Sequence, residues 1–158
     1  MSWIKEVSQS LHKGYLITID YGFLSSKLYK NDRSNGTLLC YYKHKINDNP
    51  YQFIGEQDIT SHINFSALHH WGLQAGMECS GIVDQAGFLL ALGIKDYQNT
   101  SLKNNQSNSQ IALQESIMNY RLLVDMGMKF KVLIQHKEVP KHQLSGLKFS
   151  NTFETVFA

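Results

Sequence analysis

The residue that most invites a chemical role is Asp20. It follows a short apolar run, residues 15–19, and precedes Tyr21 and Gly22. Ligands of open α/β sheets bind beyond the carboxyl ends of the strands, so a carboxylate at the end of such a run is expected to face a ligand. A carboxylate also suits the planar cationic fork of a guanidinium group. Asp20 is therefore the first catalytic candidate, and the alternative is that it caps the following turn.

Further acid–base candidates lie between residues 23 and 64. Asp58 is a second carboxylate, although aspartate in such a position often caps a short turn. His44 and His62 could act as a base or a polar contact, because imidazole titrates near neutral pH. A lone histidine in a loop is more often structural, so both roles stay open for each histidine.

The same stretch offers groups that could bind a ligand. Arg33, close to Gly36 and Thr37, could hold a carboxylate; equally, Arg33 could pair with Asp32 or Asp48 and fix the loop. Aromatic side chains could line a pocket or pack the loop onto the core. The substrate-binding candidates are Tyr21, Gly22, Arg33, Gly36, Thr37, Tyr41 and Phe65.

Metal chemistry is not expected. His69 and His70 are adjacent and cannot form an i, i+4 pair on one helix face. Cys40 and Cys79 lack the C-x-x-C spacing of zinc sites. Without a signal peptide at the start of the sequence, two isolated cysteines indicate reduced thiols in a cytoplasmic protein. A disulfide between them is the less favoured alternative.

Helices and strands alternate along the chain. The run at 15–19 has no polar alternation, which predicts a strand buried on both faces, as in a parallel sheet. Residues 23–64 contain many turn formers and several aromatics, which predicts an ordered loop or lid with short elements. The other predicted elements are a helix over 1–13 closed by Gly14, a helix over 65–75 capped by Asn64 and closed by Gly76, a strand at 77–83, a helix at 85–92, a polar loop at 98–110, a helix at 109–125 and a strand at 130–135.

This order of elements predicts an α/β fold that is incomplete. Three strands make a small sheet, and the strand ending at Asp20 needs a neighbour on each edge. Hydrophobic residues make up 42% of the 158 residues and charged residues 18%, which is typical of a packed core. A net charge of +2 without a basic stripe does not indicate a nucleic-acid footprint, so a nucleic-acid binder is the least favoured class of protein. No apolar stretch approaches the roughly 20 residues of a membrane span.

Several spaced blocks resemble, in order, the MidA-like methyltransferases, a family that includes the mitochondrial complex I assembly factor that methylates an arginine. The resemblance covers about residues 1–147, and ordered blocks are more specific than any single motif. The matching blocks are Asp20-Tyr21-Gly22, Arg33-x-x-Gly36-Thr37-Leu38, Asp48-x-Pro50, Gly55-x-x-Asp58-Ile59-Thr60-x-His62, Gln85-Ala86-x-Phe88-Leu89-Leu90 and Met126-Gly127-x-x-Phe130.

The resemblance implies the C-terminal half of a Rossmann-like class I methyltransferase sheet with a lid and added helices. Segments 16–21, 77–83 and 130–135 would be strands five, six and seven, the last antiparallel. Residues 1–147 would be part of one methyltransferase domain, with a lid at 23–64 and a tail at 148–158. The family's cofactor is S-adenosyl-L-methionine. Its glycine-rich binding loop has no counterpart in this sequence, so the residues that would bind the cofactor are unknown and catalysis by the chain alone is not expected.

Two functions follow as hypotheses. The first is protein arginine methylation, in which this chain supplies the acceptor side of the site. The sheet would then be completed by the missing N-terminal half or by self-association through an exposed strand edge. The second is a non-catalytic, truncated interaction module that binds a protein partner through that edge. Neither involves nucleic acid or a membrane.

Overall fold

The fold contains two β-sheets. The computed structural model describes residues 2–94, 96, 114, 117–118, 121–140 and 142–150. The helices are α1 (Ser2–Ser10), α2 (Ser25–Leu28), α3 (Phe65–Gln74) and α4 (Gln85–Ala91). The strands are β1 (Gly14–Phe23), β2 (Leu39–Tyr42), β3 (Lys45–Asn47), β4 (Asp58–Thr60), β5 (Ile63–Asn64), β6 (Glu78–Asp84) and β7 (Phe130–Lys137).

The larger sheet has the strand order β5-β1-β7-β6. β7 is antiparallel to β1 on one side and to β6 on the other, so β1 and β6 run in the same direction. The pairing of β1 with β7 extends from Gly14 opposite Lys137 to Tyr21 opposite Phe130. The predicted α/β character and the antiparallel last strand are therefore confirmed.

Two apolar clusters form the core on opposite faces of this sheet. Phe65 at the start of α3 packs with Ile82 and Leu133 on one face. Val83 and Val132 pack on the other face, with Ile134, Leu147 and the partly buried Phe88 around them. Neighbouring positions along β6 and β7 thus divide between the two clusters, as the alternation of side chains along a strand requires.

β1 differs from the expectation of a strand buried on both faces. Ile17 and Ile19, on the same face of the strand, are each 52% exposed, so this face of β1 is partly open to solvent. The strand also begins earlier than predicted. α1 ends at Ser10, and Gly14 starts β1 with a φ of +137° rather than closing the helix.

The second edge of β1 is open along most of its length. β5 pairs with it in parallel only at Gly22 and Phe23, where they meet Ile63 and Asn64. Within the described ranges no strand lies beside residues 14–21 on that edge. The strand therefore presents unpaired backbone groups, as expected for an incomplete sheet.

The segment between β1 and α3 contains short ordered elements. A 3₁₀ turn spans Asn31–Arg33, and β2, β3 and β4 form a small antiparallel sheet in the order β3-β2-β4. Lys43 and His44 form the two-residue hairpin turn between β2 and β3, with φ values of +48° and +63°. Two consecutive positive φ angles are the geometry that matches the twist of such a hairpin.

The ends of α3 follow the sequence prediction closely. The Asn64 side chain accepts a hydrogen bond of 3.0 Å from the Ala67 amide and caps α3. Gly76 has a φ of +80° just beyond the end of this helix. α4 is capped by Asp84, whose Oδ1 accepts from the Gly87 amide at 2.7 Å.

Some sequence predictions lie wholly or partly outside the described residues. This applies to the polar loop at 98–110, to most of the helix at 109–125 and to 151–158 of the tail. What is described of that helix includes a π-helical stretch, Arg121–Met126, which continues into the short helix Gly127–Lys129. In the described part of the chain no helix is long and apolar enough to cross a membrane, and no group of side chains suits a metal ion. Cys40 and Cys79 do not form a disulfide.

Candidate functional site

A cluster of rings joins β1 to the lid segment. Tyr21 and His62 meet edge-on with their ring centroids 5.1 Å apart, and the Phe23 ring lies 5.1 Å from His62 on a tilted plane. His62 directly precedes β5, and its backbone amide donates to Thr37 Oγ1 at 3.1 Å. Because β5 pairs with the end of β1, His62 is held beside the tyrosine that follows Asp20.

The environment of His62 favours its neutral form. Burial lowers its pKa from the ordinary value of 6.5, and the nearby positive charge of Arg33 lowers it further. A hydrogen bond with the Thr37 backbone acts in the opposite direction. Its Nδ1 atom is buried and has no hydrogen-bond partner among the described residues. A neutral imidazole at pH 7 is able to accept a proton.

Arg33 is fixed by an aromatic face and a carbonyl. Its guanidinium carbon lies 4.1 Å from the centroid of the Phe23 ring, and its Nη1 donates to the Lys27 carbonyl oxygen. The proposed pairing with Asp32 or Asp48 is wrong, because within the described ranges Arg33 forms no ion pair with a carboxylate. The ring contact replaces that pairing as the anchor of the turn.

Arg33 and His62 lie at the same open cavity, which has a volume of about 660 Å³. Its lining includes Lys30, Arg33, Gly36, Thr37, Ser61 and His62. Four of the predicted site residues thus line the same cavity: Arg33, Gly36, Thr37 and His62. None of the lining residues is acidic.

Asp20 is not at the end of its strand as predicted. β1 continues to Phe23, because the pairing of Gly22 with Ile63 extends the strand past Asp20. Asp20 is half-buried, and its Oδ1 accepts a hydrogen bond of 2.7 Å from the Tyr21 amide. One carboxylate oxygen therefore has a local backbone partner, which is part of the capping role considered from the sequence. Asp20 does not line the 660 Å³ cavity.

Lys131, for which no role was predicted from the sequence, shares a sheet face with Asp20. Lys131 on β7 lies directly opposite Asp20 on one side and Asp84 on the other. Directly opposed residues of neighbouring strands point to the same face. Burial lowers the pKa of Lys131; the Asp84 charge raises it, and the Lys27 charge lowers it again. The feature of the sequence that could have indicated a role for Lys131 is its position within the otherwise apolar start of the last strand.

Lys131 lines a second cavity of about 330 Å³ at the ends of β1 and β6. Phe23 and Asp84, the last residues of these parallel strands, line it as well, together with Lys27 and Met128. This cavity therefore lies at the carboxyl edge of the sheet, where ligands of α/β proteins usually bind.

The other candidates are not brought to these cavities. Asp58 is exposed in β4 opposite Tyr41, and His44 is exposed in the hairpin turn. Phe65 has no exposed surface and belongs to the core, so its predicted role in lining a pocket is wrong. Gly22 has a packing role, because a Cβ at this position would overlap the backbone of Ile63.

Comparison with known proteins gives a consistent result. Residues 1–83 match a family model described as "putative S-adenosyl-L-methionine-dependent methyltransferase". Two crystal structures from Burkholderia thailandensis match with a TM-score of 0.88 and 33% sequence identity over 98% of this chain. One is the native structure of an uncharacterised protein, and the other is a protein of the same superfamily bound to S-adenosyl-homocysteine. The chain spans 41% and 39% of these two proteins. No curated protein matches it.

Proposed function

Because the chain belongs to this family of S-adenosyl-L-methionine-dependent methyltransferases, we propose that it supplies the acceptor side of an enzyme that methylates arginine in a protein. The acceptor guanidinium would bind at Asp20, the residue that precedes Tyr21 in β1. The donor would bind chiefly to residues outside these 158.

The observations that support this proposal are a half-buried carboxylate close to the carboxyl edge of the sheet and a neutral imidazole that contacts the ring of the next residue, Tyr21. Oδ1 of Asp20 accepts from the Tyr21 amide, which leaves Oδ2 to accept from a guanidinium. The Tyr21 ring contacts His62, whose lowered pKa keeps it neutral. Gly36, Thr37 and Arg33 would bind other parts of the substrate on the lid side, with Tyr41 at the rim.

Methyl transfer from a sulfonium is an in-line displacement: the carbon–sulfur bond breaks as the nitrogen–carbon bond forms. The protein therefore acts mainly by orienting the two reactants and by placing charge. Asp20 would hold the planar guanidinium with one nitrogen directed at the methyl group. The proton that the nitrogen loses would pass through water to His62, the neutral imidazole of the lid.

The donor-binding part is proposed to lie outside these 158 residues for two reasons. The sequence contains no G-x-G-x-x-G motif, the type of loop that allows a backbone to approach a nucleotide closely. The relative that binds S-adenosyl-homocysteine is also more than twice as long as the part this chain matches. The open edge of β1 is the surface on which we propose that the missing part docks.

Reconstitution tests this function. The chain would be mixed or co-expressed with the part of the Burkholderia thailandensis relative that it does not match, and transfer of a labelled methyl group to arginine peptides would be measured. We expect transfer from the mixture and none from either part alone. Asp20→Asn should remove turnover and leave S-adenosyl-homocysteine affinity unchanged, whereas Asp48→Asn, an exposed carboxylate of the lid, should retain turnover. Full turnover with Asp20→Asn would contradict the role of Asp20.

The open edge of β1 also favours a second candidate, a non-catalytic module that binds a protein strand. This candidate predicts that a partner polypeptide binds tightly but that no mixture transfers a methyl group. Calorimetry of the chain with S-adenosyl-L-methionine should show little or no binding under either candidate. Binding at micromolar concentration would mean that the chain holds the donor without a second part.

A further inference from the structure

We propose that the 660 Å³ cavity beside Arg33 and His62 binds a carboxylate of the protein substrate, so that the preferred substrate carries an acidic residue within a few positions of the methylated arginine. This inference rests on the proposed function and adds the chemistry of the substrate that surrounds the acceptor.

The charge of the cavity lining points to an anion. Lys30 and Arg33 contribute positive charge, whereas hydroxyl groups of Ser34, Thr37 and Ser61 contribute hydrogen-bond donors. Among the residues that the structure describes, no aspartate or glutamate lines the cavity. The guanidinium of a substrate would be repelled here. The cavity and Asp20 therefore suit opposite charges.

Arg33 is held in place before any ligand binds. The Phe23 ring supports one face of its guanidinium group, and the Lys27 carbonyl accepts from Nη1. A guanidinium group carries five N–H donors, so donors remain for a ligand. Within the described ranges no carboxylate forms an ion pair with Arg33. A fixed cation that lacks an acidic partner loses little side-chain entropy when it binds an anion.

Phe23 links this cavity to the surroundings of Asp20. It lines the 330 Å³ cavity together with Lys131, which lies opposite Asp20, and its ring supports Arg33 at the 660 Å³ cavity. A peptide whose arginine reaches Asp20 from the carboxyl edge of the sheet would thus pass Phe23 and place its next few residues beside Arg33. The positive potential of Arg33, which also lowers the pKa of His62, would attract an acidic side chain at that point.

Four labelled peptides test the proposal. They combine arginine or glutamine at the centre with glutamate or glutamine at both flanks, as in Glu-Gly-Arg-Gly-Glu and its variants. Their affinities for the 158-residue chain would be measured by fluorescence anisotropy at low and high salt. We expect the acidic flanks to strengthen binding of the arginine peptide about tenfold, as a charge-assisted hydrogen bond of roughly 1.4 kcal/mol would. Salt should reduce this gain.

Substitutions at Arg33 and Lys30 test whether these residues cause the gain in affinity from the acidic flanks. Arg33→Gln should remove the gain from the acidic flanks, and Lys30→Gln should reduce it. Lys45→Gln, which removes an exposed cation of the same lid segment, should preserve it. If Arg33→Gln does not fold, Arg33→Lys gives the test, because it keeps the charge and loses the fork; a reduced gain supports the proposal. An undiminished gain in both Arg33→Gln and Lys30→Gln would overturn it.

The outcomes of the peptide experiments distinguish a failure of the anion site from a failure of the proposed function. If the chain prefers arginine over glutamine at the centre but is indifferent to the flanks, the anion site is wrong and the arginine site survives. If it ignores the central residue, the proposed function fails. If Arg33→Gln instead weakens S-adenosyl-homocysteine binding by the reconstituted enzyme, the carboxylate belongs to the donor, which overturns the assignment to the substrate.

Discussion

The ring of His62 meets the ring of Tyr21 edge-on at 5.1 Å, which joins the lid to the strand that carries Asp20. The same histidine is tied to Thr37 through its backbone amide. A change at His62 is therefore expected to affect both the strand and the cavity. The lowered pKa of this side chain makes the link sensitive to pH.

We predict that the chain loses stability as the pH falls below 6.5, and that His62 contributes to the loss. The pKa of His62 in the folded chain lies below the ordinary value of 6.5 because of burial and the charge of Arg33. The unfolded chain therefore binds the proton first as the pH falls, which favours unfolding. Urea unfolding at pH 7.5 and at pH 5.5 should show a smaller difference for His62→Gln than for the wild type.

His69 needs to be separated from this effect, because burial and the neighbouring His70 lower its pKa as well. His69→Gln should also reduce the difference between the two pH values, and the double variant should reduce it further. Imidazole resonances followed by NMR give a direct check. A His62 that titrates at or above 6.5 in the folded chain would contradict the prediction.

Local rules predicted the ends of helices from sequence, but long-range contacts decided the site. Asn64 and Gly76 delimit α3 because a cap and a left-handed residue act through near neighbours. Asp20 was expected to end its strand, yet Ile63, far along the chain, extends the strand to Phe23. No local pattern reveals such a partner.

The binding residues show the same limit. Arg33 was expected to pair with a nearby carboxylate, whereas the fold places it on the Phe23 ring. Phe65 was interpreted as part of a pocket because aromatic residues suit both pockets and cores. Lys131 received no role, since its neighbours Asp20 and Asp84 belong to other strands. The resemblance to a family pointed to the correct segments, but it did not give the contacts of each side chain.

Gly22→Ala should destabilise the chain by about 3 kcal/mol, because the new methyl group would overlap the backbone of Ile63 and backbone relaxes poorly. Gly36→Ala is the matched control: it has open space around it but a φ of +78°, so a loss of about 1 kcal/mol is expected. Urea unfolding measures both. Amide exchange at Ile63 and Asn64 should accelerate only in Gly22→Ala, and unchanged exchange there would argue against the close approach.

Asn64→Ala should cost about 1–2 kcal/mol, since the Asn64 side chain caps α3 and also accepts a hydrogen bond from Ser25 Oγ at 3.1 Å. Asn64→Asp keeps the oxygen that accepts these bonds and loses the donor to the Tyr29 hydroxyl. It should therefore retain most of the stability. Equal losses for the two variants in thermal unfolding would show that the cap is not the reason.

Replacing Ile17 and Ile19 with threonine should reduce self-association of the isolated chain. Both side chains are exposed on β1, and the open edge of the strand lies beside them. Threonine keeps the strand preference, so the free energy of unfolding should change by about 0.5 kcal/mol or less. Light scattering over a series of concentrations gives the molar mass. If the wild type is already monomeric at every concentration, the edge does not drive association.

The central position of β7 has a consequence for the order of events during synthesis. β1 lies near the start of the sequence, yet its longest ladder pairs Gly14 with Lys137. β6 likewise cannot form its pairing until β7 has been synthesised. A sheet whose middle strand is translated last cannot close while the ribosome is still making the preceding segments, and such distant pairings form slowly. The apolar strand β1 therefore lacks β7 while residues 24–129 are synthesised, a period in which a chaperone or a second polypeptide has access to its edges.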